Sequence, residues 1–297
     1  MIPLKPTPLK SIFLVVIGSA FVAACIVLAK IVQTDLLGEP LHPFQASQAR
    51  FLFGFIGLLI FYSAYRIKFT NPDIKLHVFR TFCGYSAVTL MFTAAAIIPV
   101  SDATAISFLN PVFAMIFALP LLGERIGKLR WSSALIGLIG AFVLLRPSAS
   151  AFEPAAFLAL IAAVVMGLEF ILIKILSTKE QILQILLINN ALGLLFSSIS
   201  LVFVWNSPTL MQWVALSGIG FLMLGAQACT LIALRSADAS LVLPFSFTTL
   251  IFVAGYDFLI FTVTPDLISW LGATIIIFGV STIIIQQISY DKKRINL

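Results

Sequence analysis

The sequence predicts an all-α integral membrane protein, with ten transmembrane helices arranged as two inverted five-helix repeats. Three observations carry that expectation. Hydrophobic residues make up 61% of the 297-residue chain and charged residues only 10%, where a soluble domain carries about a quarter charged; mean hydropathy is +1.11. Apolar runs long enough to cross a bilayer recur from end to end, a hydrocarbon core about 30 Å thick needing about 20 helical residues. Stretches of the second half repeat stretches of the first.

The spans follow in order. The first, 11–31, contains Cys25 and Lys30. Its "VAAC" (22–25) mimics a lipoprotein cleavage site, but the apolar run continues past Cys25, which argues for a span. The second, 44–64, carries Arg50. The third, 78–98, carries Arg80 and Tyr85, and the fourth, 103–122, carries Asn110 and Pro111. The fifth, 131–146, has Ser133, Gly137 and Gly140 at small-residue spacing. The sixth, 154–174, includes Glu169 inside "MGLEFILIKIL". The seventh, 182–204, carries Asn189 and Asn190, and the eighth, 212–234, carries Gln227. The ninth, 239–261, contains Pro244, Phe245, Ser246, Thr248 and Asp257, and the tenth, 267–287, contains Gly272 and Gly279. No alternating strands suggest a β-barrel.

The repetition divides the chain into residues 1–150 and 151–297. "WSSALIGLIG" (131–140) resembles "WLGATIIIFG" (270–279), and "SDATAISFLNPVF" (101–113) parallels "ADASLVLPFSF" (237–247) after a three-residue shift. Five spans per half is an odd number, so the second copy enters the membrane upside down. That architecture puts a solute site near the midplane and lets the halves rock around it. Pro111 and Pro244 lie in the corresponding fourth and ninth spans, where each removes a backbone donor and marks either a hinge or a tolerated kink. The small residues of the fifth and tenth spans read as scaffold or dimer contacts, so the expected oligomeric state is monomer or homodimer.

The net charge of +6 is explained by sidedness rather than by nucleic acid. With the N-terminus cytoplasmic, the inner side receives Lys5, Lys10, Arg66, Lys68, Lys75, Arg125, Lys128, Arg130, Lys174, Lys179, Arg235, Lys292, Lys293 and Arg294, and the outer loops only Arg146. This bias orients a multi-pass protein of the cell inner (plasma) membrane with both termini cytoplasmic. Its expected partners are membrane lipid and a small-molecule solute.

Charges inside spans are expensive and therefore informative. Glu169 and Lys174 are five residues apart and do not share a helix face, so Glu169 must find another helix, water or a solute. Arg80 lies at compatible depth. Asp257 lies in the other half of the membrane, with Arg50 and Lys30. Two layers are expected: Glu169 with Arg80 inside, and Asp257 with Arg50 or Lys30 outside. Each is either a standing ion pair or a carboxylate facing a cavity, where it would bind a cationic group or exchange a proton. Lys30 and Lys174 are expected to snorkel to the headgroups. Tyr85, Asn110, Asn189, Gln227 and Ser246 supply neutral polarity at mid-depth, and Phe245 an aromatic surface for an organic cation. Arg80, Lys30, Pro111 and Pro244 are candidates for pairing or gating. Asp102 and Asp238 read as helix caps, and Glu124 as a loop charge among Arg125, Lys128 and Arg130.

No catalytic residues, metal ligands or cofactor are expected. His42 and His77, the only histidines, are far apart, and no phosphate loop, HExxH or nucleophile elbow occurs. Cys25, Cys83 and Cys229 lie in apolar spans as small hydrophobes.

"PVSDATAISFLNPVFAMIFALPLLGERIGKLRWSSALIGLIGAFVLLRP" (99–147) resembles the first-half signature of EamA-type carriers in the drug/metabolite transporter superfamily. "ALRSADASLVLPFSFTTLIFVAGYDFLIFTVTPDLISWLG" (233–272) resembles their second half. The resemblance implies ten helices in two inverted repeats, a central cavity from the first four helices of each, rocking about the hairpins of helices three and four and eight and nine, and peripheral fifth and tenth helices. It implies a secondary carrier for an amine, an amino acid or an S-adenosylmethionine-like cation. One departure is visible: Phe261-Thr262-Val263 replaces the Phe-Gly-Glu common in the second half. A channel or a non-transporting membrane scaffold is the alternative.

Overall fold

The computed structural model describes residues 8–65, 71–95, 97–148, 154, 156–202, 204–262 and 264–295. Lys5, Arg66 and Lys68 lie outside them, and the side chains of Lys292, Lys293 and Arg294 are likewise outside the description. The described residues form helices α1 (Pro8–Val32), α2 (Pro43–Tyr65), α3 (Ile74–Ala95), α4 (Val100–Ser107), α5 (Asn110–Leu122), α6 (Lys128–Leu145), α7 (Ala156–Lys179), α8 (Ile182–Leu201), α9 (Leu210–Ser236), α10 (Ala239–Val242), α11 (Thr248–Phe261) and α12 (Leu267–Ile295). Short 3₁₀ turns cover Asp35–Leu37 and Leu243–Phe247.

Nine helical segments among the described residues are long and apolar enough to cross a membrane. The 22-residue α3 is not among them; its first two turns carry Lys75, His77 and Arg80. The fourth and ninth spans are broken rather than merely kinked. Pro111 sits in the first turn of α5, where a helix has no use for its missing N–H. Pro244 sits in the 3₁₀ turn between α10 and α11. The proline that does lie within a helix is Pro120.

Packing follows side-chain size. Alanines that bury completely, among them Ala23, Ala94, Ala114, Ala118, Ala159 and Ala233, occupy positions where helix backbones approach closely. Large apolar side chains such as Phe13, Phe157, Leu259 and Phe278 face outward, as a hydrocarbon solvent permits. Helix α1 packs on α9 and α11, α3 on α7 and α8, α2 on α8 and α9, and α4 and α5 on α7.

Helix α6 packs mainly on α12, to one side of the bundle. The expected small residues form this contact within the chain. A Cβ on Gly140 would meet the Gly272 carbonyl oxygen at 2.9 Å, and one on Gly279 would meet the Ser133 carbonyl oxygen at 3.1 Å. The Ser133 hydroxyl donates to the Gly279 carbonyl. Early residues of α6 thus meet late residues of α12, so the two helices run antiparallel.

Several loop charges act differently from expectation. Asp102 is buried and accepts hydrogen bonds from Ser148, 3.0 Å from the amide and 2.5 Å from the hydroxyl. Asp238 makes no side-chain cap and instead pairs with Arg130 at 2.9 Å. The α10 cap comes from Glu124, which accepts from the Ala239 and Ser240 amides at 2.7 and 3.0 Å. Lys174 does not snorkel. Its ammonium donates to the Leu234 and Ala237 carbonyls, at the C-terminus of α9 where helix carbonyls lack partners.

Candidate functional site

A cavity of about 360 Å³ lies between α1, α2, α3, α7, α8 and α9, with the breaks of the fourth and ninth spans on its wall. Most of its lining is apolar, and its charged residues are Glu169, Arg80 and Arg50. Glu169 both faces the cavity and pairs with Arg80, the Arg80 Nη2 lying 3.3 Å from the Glu169 Oε1. Their side chains are 20% and 5% exposed. Two more guanidinium nitrogens of Arg80, Nε and Nη1, are buried without a hydrogen-bond partner among the described residues.

Gly84 makes this pair possible. It follows Arg80 by one helical turn on α3, and a Cβ there would lie 2.7 Å from the Glu169 Oε1 and 2.8 Å from its Cδ. The absent side chain is the space into which the carboxylate fits.

Arg50 has a different setting. Its guanidinium carbon lies 4.3 Å from the centre of the Phe51 ring. Phe51 is buried against Gly193 of α8, where a Cβ would approach the ring to 2.3 Å. The Arg50 Nε is buried without a partner, and Arg50 makes no ion pair among the described residues. Of the two partners expected for Asp257, Arg50 and Lys30, Arg50 is therefore not the one it takes.

Asp257 instead pairs with Lys30 at 3.0 Å, away from the cavity lining. The Lys30 ammonium lies 4.4 Å from the centre of the Phe261 ring. An acidic partner and an aromatic face thus hold Lys30, the expected alternative to Arg50, with its side chain 48% exposed.

The neutral candidates Tyr85, Asn110, Asn189, Gln227 and Ser246 all line the cavity. Asn189 and Asn190 both donate to the Gln227 Oε1, at 3.5 and 3.2 Å. Tyr85 hydrogen-bonds Ser200 through its hydroxyl, and its ring packs on Phe196 with centroids 5.8 Å apart. The two broken spans act alike: Asn110 donates to the Ser107 carbonyl and Ser246 to the Leu243 carbonyl, at 2.8 and 2.7 Å. Each break thus carries a polar side chain that donates to the carbonyl three residues earlier and still borders the cavity.

Phe245 does not reach the cavity. It is fully buried in the main hydrophobic cluster, and Phe247 packs against Gly137 and Phe108. The 3₁₀ turn sends Ser246 toward the cavity while its two neighbours pack inward. Aromatic lining comes instead from Phe51, Phe108 and Phe170, beside Met166 and Met223. Small hydroxyls on Ser19, Thr81, Thr104, Ser107, Thr230 and Thr249 also line it. Such residues carry little signal in a sequence, since Ser and Thr in a span usually bond their own helix. Pro111 and Pro244 shape the breaks without lining the cavity.

At the helix ends, a second buried polar cluster joins the start of α3 to the α7–α8 turn. The His77 Nε2 lies 2.9 Å from the Glu180 Oε2, while Gln184 and the Asp73 amide donate to the same carboxylate at 2.6 and 2.8 Å. Burial pushes the Glu180 carboxyl upward, but the hydrogen bonds from His77, Asp73 and Gln184 outweigh it and hold it below its ordinary range. Neither Glu180 nor Gln184 stands out in the sequence, because their partner is a helix distant along the chain.

The geometry agrees with comparisons to known proteins. The EamA-like transporter family matches residues 9–146 and 153–285. An S-adenosylmethionine uptake transporter of Rickettsia bellii (strain RML369-C) is 28% identical over 272 residues, covering 89% of this chain and 91% of the relative. The pseudopaline exporter CntI of Pseudomonas aeruginosa is 25% identical, covering 83% and 88%, and a riboflavin transporter of Vibrio cholerae is 29% identical, covering 74% and 75%. A solved structure covers 91% of this chain and 96% of its own, with a TM-score of 0.75 at 18% identity, a likeness of fold. With both halves matched, the chain belongs to the EamA-like transporter family, and it is a multi-pass membrane transporter of a small solute rather than an enzyme.

Proposed function

We propose that the protein is a secondary carrier working by alternating access. Its solute would be a small polar organic molecule with an amino or other cationic group, held at Glu169. The observation that carries this reading is Glu169 itself, a carboxylate that lines the cavity and has Arg80 as its ion-pair partner. An intramembrane acid with access to a cavity is the usual mark of a solute or proton path. Coupling would come from solute exchange or from a proton on Glu169. The relatives named for S-adenosylmethionine and pseudopaline favour an amino-acid-like solute.

In this reading α3 also crosses the membrane, which brings the spans to ten, and residues 1–150 and 151–297 are inverted copies within one unit. The contact pattern supports that symmetry. Exchanging each span for the one five later turns α1 on α9 into α7 on α3, and α1 on α11 into α7 on α5, contacts that all occur. The same exchange turns Gly140 meeting Gly272 into Gly279 meeting Ser133. Equivalent helices that pack antiparallel, as α6 and α12 do, are what opposite insertion requires. The two family matches fall on either side of the division at residue 150. The positive-inside bias supports the inner membrane with both termini cytoplasmic.

The test is counterflow in liposomes with labelled amines, amino acids, S-adenosylmethionine and riboflavin. The carrier reading expects saturable exchange of at least one of them, with Glu169→Gln reducing it about tenfold or more. Normal rates and normal pH dependence in Glu169→Gln would remove Glu169 from the site. No saturable counterflow of any kind, with one unchanging pattern of cysteine labelling from the two sides, would favour a channel or scaffold.

A further inference from the structure

The cavity holds two guanidinium groups and one carboxylate, leaving it with one net positive charge. A carrier selecting only for a cation would not be built with that sign. Arg80 holds Glu169 at ion-pair distance, whereas Arg50 has no acid at that distance among the described residues and feels Glu169 only from farther away. From the placement of these groups, we infer that Arg50 is the receptor for a carboxylate on the solute, so the transported molecule is a zwitterion of the amino-acid type. This inference rests on the carrier reading above and narrows it.

Three observations support the assignment. First, Arg50 is held in place before any solute arrives. Its guanidinium lies over Phe51, and that ring is wedged against Gly193. A guanidinium lying over a ring can still offer its N–H groups in a two-pronged bond to a carboxylate. Second, its buried Nε lacks a partner. A charged donor is costly to bury without an acceptor, so a carboxylate that reached this guanidinium as the cavity wall rearranged would remove a standing cost. Third, Glu169 stands on another helix of the same cavity. It gives the opposite end of a zwitterion a place to compete with Arg80, whose Nε and Nη1 already lack partners. A solute ammonium binding at Glu169 would loosen the Arg80 contact while its carboxylate satisfied Arg50, coupling occupancy to contacts between α2, α3 and α7.

The experiment uses the full chain in liposomes and compares matched pairs that differ only by the carboxyl group. Lysine is set against cadaverine, and S-adenosylmethionine against its decarboxylated form, with riboflavin as a neutral probe. The wild-type protein should exchange the acid of a pair at least about tenfold better than its decarboxylated partner. Arg50→Gln should abolish that preference by weakening the acid and sparing the amine. Arg50→Lys, which retains charge but loses the fork, should fall between them. The comparison on the wild-type protein does not depend on either variant folding. Equal exchange of both members of each pair, riboflavin exchange without acid exchange, or an acid preference unaltered in Arg50→Gln would overturn the assignment while leaving a carrier in place. Absence of exchange for every probe would overturn the carrier reading and this inference with it.

Discussion

The Lys30–Asp257 and Arg80–Glu169 pairs carry the same chemistry in opposite surroundings. The first pair lies near the ends of α1 and α11, its side chains 48% and 26% exposed, and it borders no part of the cavity. The second is 5% and 20% exposed and forms part of the cavity wall. Distance does not separate them, at 3.0 and 3.3 Å. Burial and placement do. An exposed pair contributes little and is lost at little cost, whereas breaking a buried pair strands a charge. An acid within a span becomes a candidate for function when it is both enclosed and adjacent to a space a solute can occupy.

The sharpest way to break this contrast is to remove each acid. Glu169→Ala leaves Arg80 buried without its partner and should destabilise the protein by about 3–5 kcal/mol, read as a fall in melting temperature in detergent, together with loss of transport. Gly84→Ala leaves both charges in place but puts a methyl where the carboxylate lies. We expect a cost of about 1–3 kcal/mol from overpacking and a larger proportional loss of transport than of stability. A Gly84→Ala protein transporting normally would mean that the pair can shift without consequence.

The Glu180–His77 contact sharpens the comparison from a third setting, buried but at the ends of helices. Because the Glu180 carboxyl is held below its ordinary range, its contribution is fully present above the unfolded value of about 4.3. It is lost as pH falls through the lowered folded value. Glu180→Gln should flatten the decline in melting temperature over that acid window, and an unchanged acid profile would remove Glu180 as a contributor. The smallest effect belongs to Asp257→Asn, expected to cost about 0.2–1 kcal/mol with counterflow near the wild-type rate. A transport defect there comparable to that of Glu169→Gln would erase the distinction between the pairs.

Much of this site was legible residue by residue. Polar side chains at mid-depth are conspicuous because hydrocarbon penalises them, which is why Tyr85, Asn110, Asn189, Gln227 and Ser246 stood out. Partnership was less legible. Arg50 and Lys30 were equal candidates for Asp257, since depth is readable from position along a span but rotation about the helix axis relative to a distant neighbour is not. Phe245 failed for a related reason. The break at Leu243–Phe247 alters the direction of successive side chains, and helical spacing no longer predicts which of them faces inward. Gly84 drew no attention, because its role depends on a carboxylate 85 positions later in the chain.

By itself, the sequence determined the solvent: a chain this apolar has to satisfy its backbone within helices and live in lipid. It also determined the order and approximate bounds of the spans and the few polar groups set among them. The tertiary structure decided which of those groups meet. Hydropathy acts on each span separately, whereas pairing depends on how closely helices approach and at what rotation. Those are set by contacts such as Gly84 with Glu169, Gly193 with Phe51 and Gly140 with Gly272, between residues far apart in the chain. That packing left Arg50 on the cavity wall with no acid at ion-pair distance among the described residues.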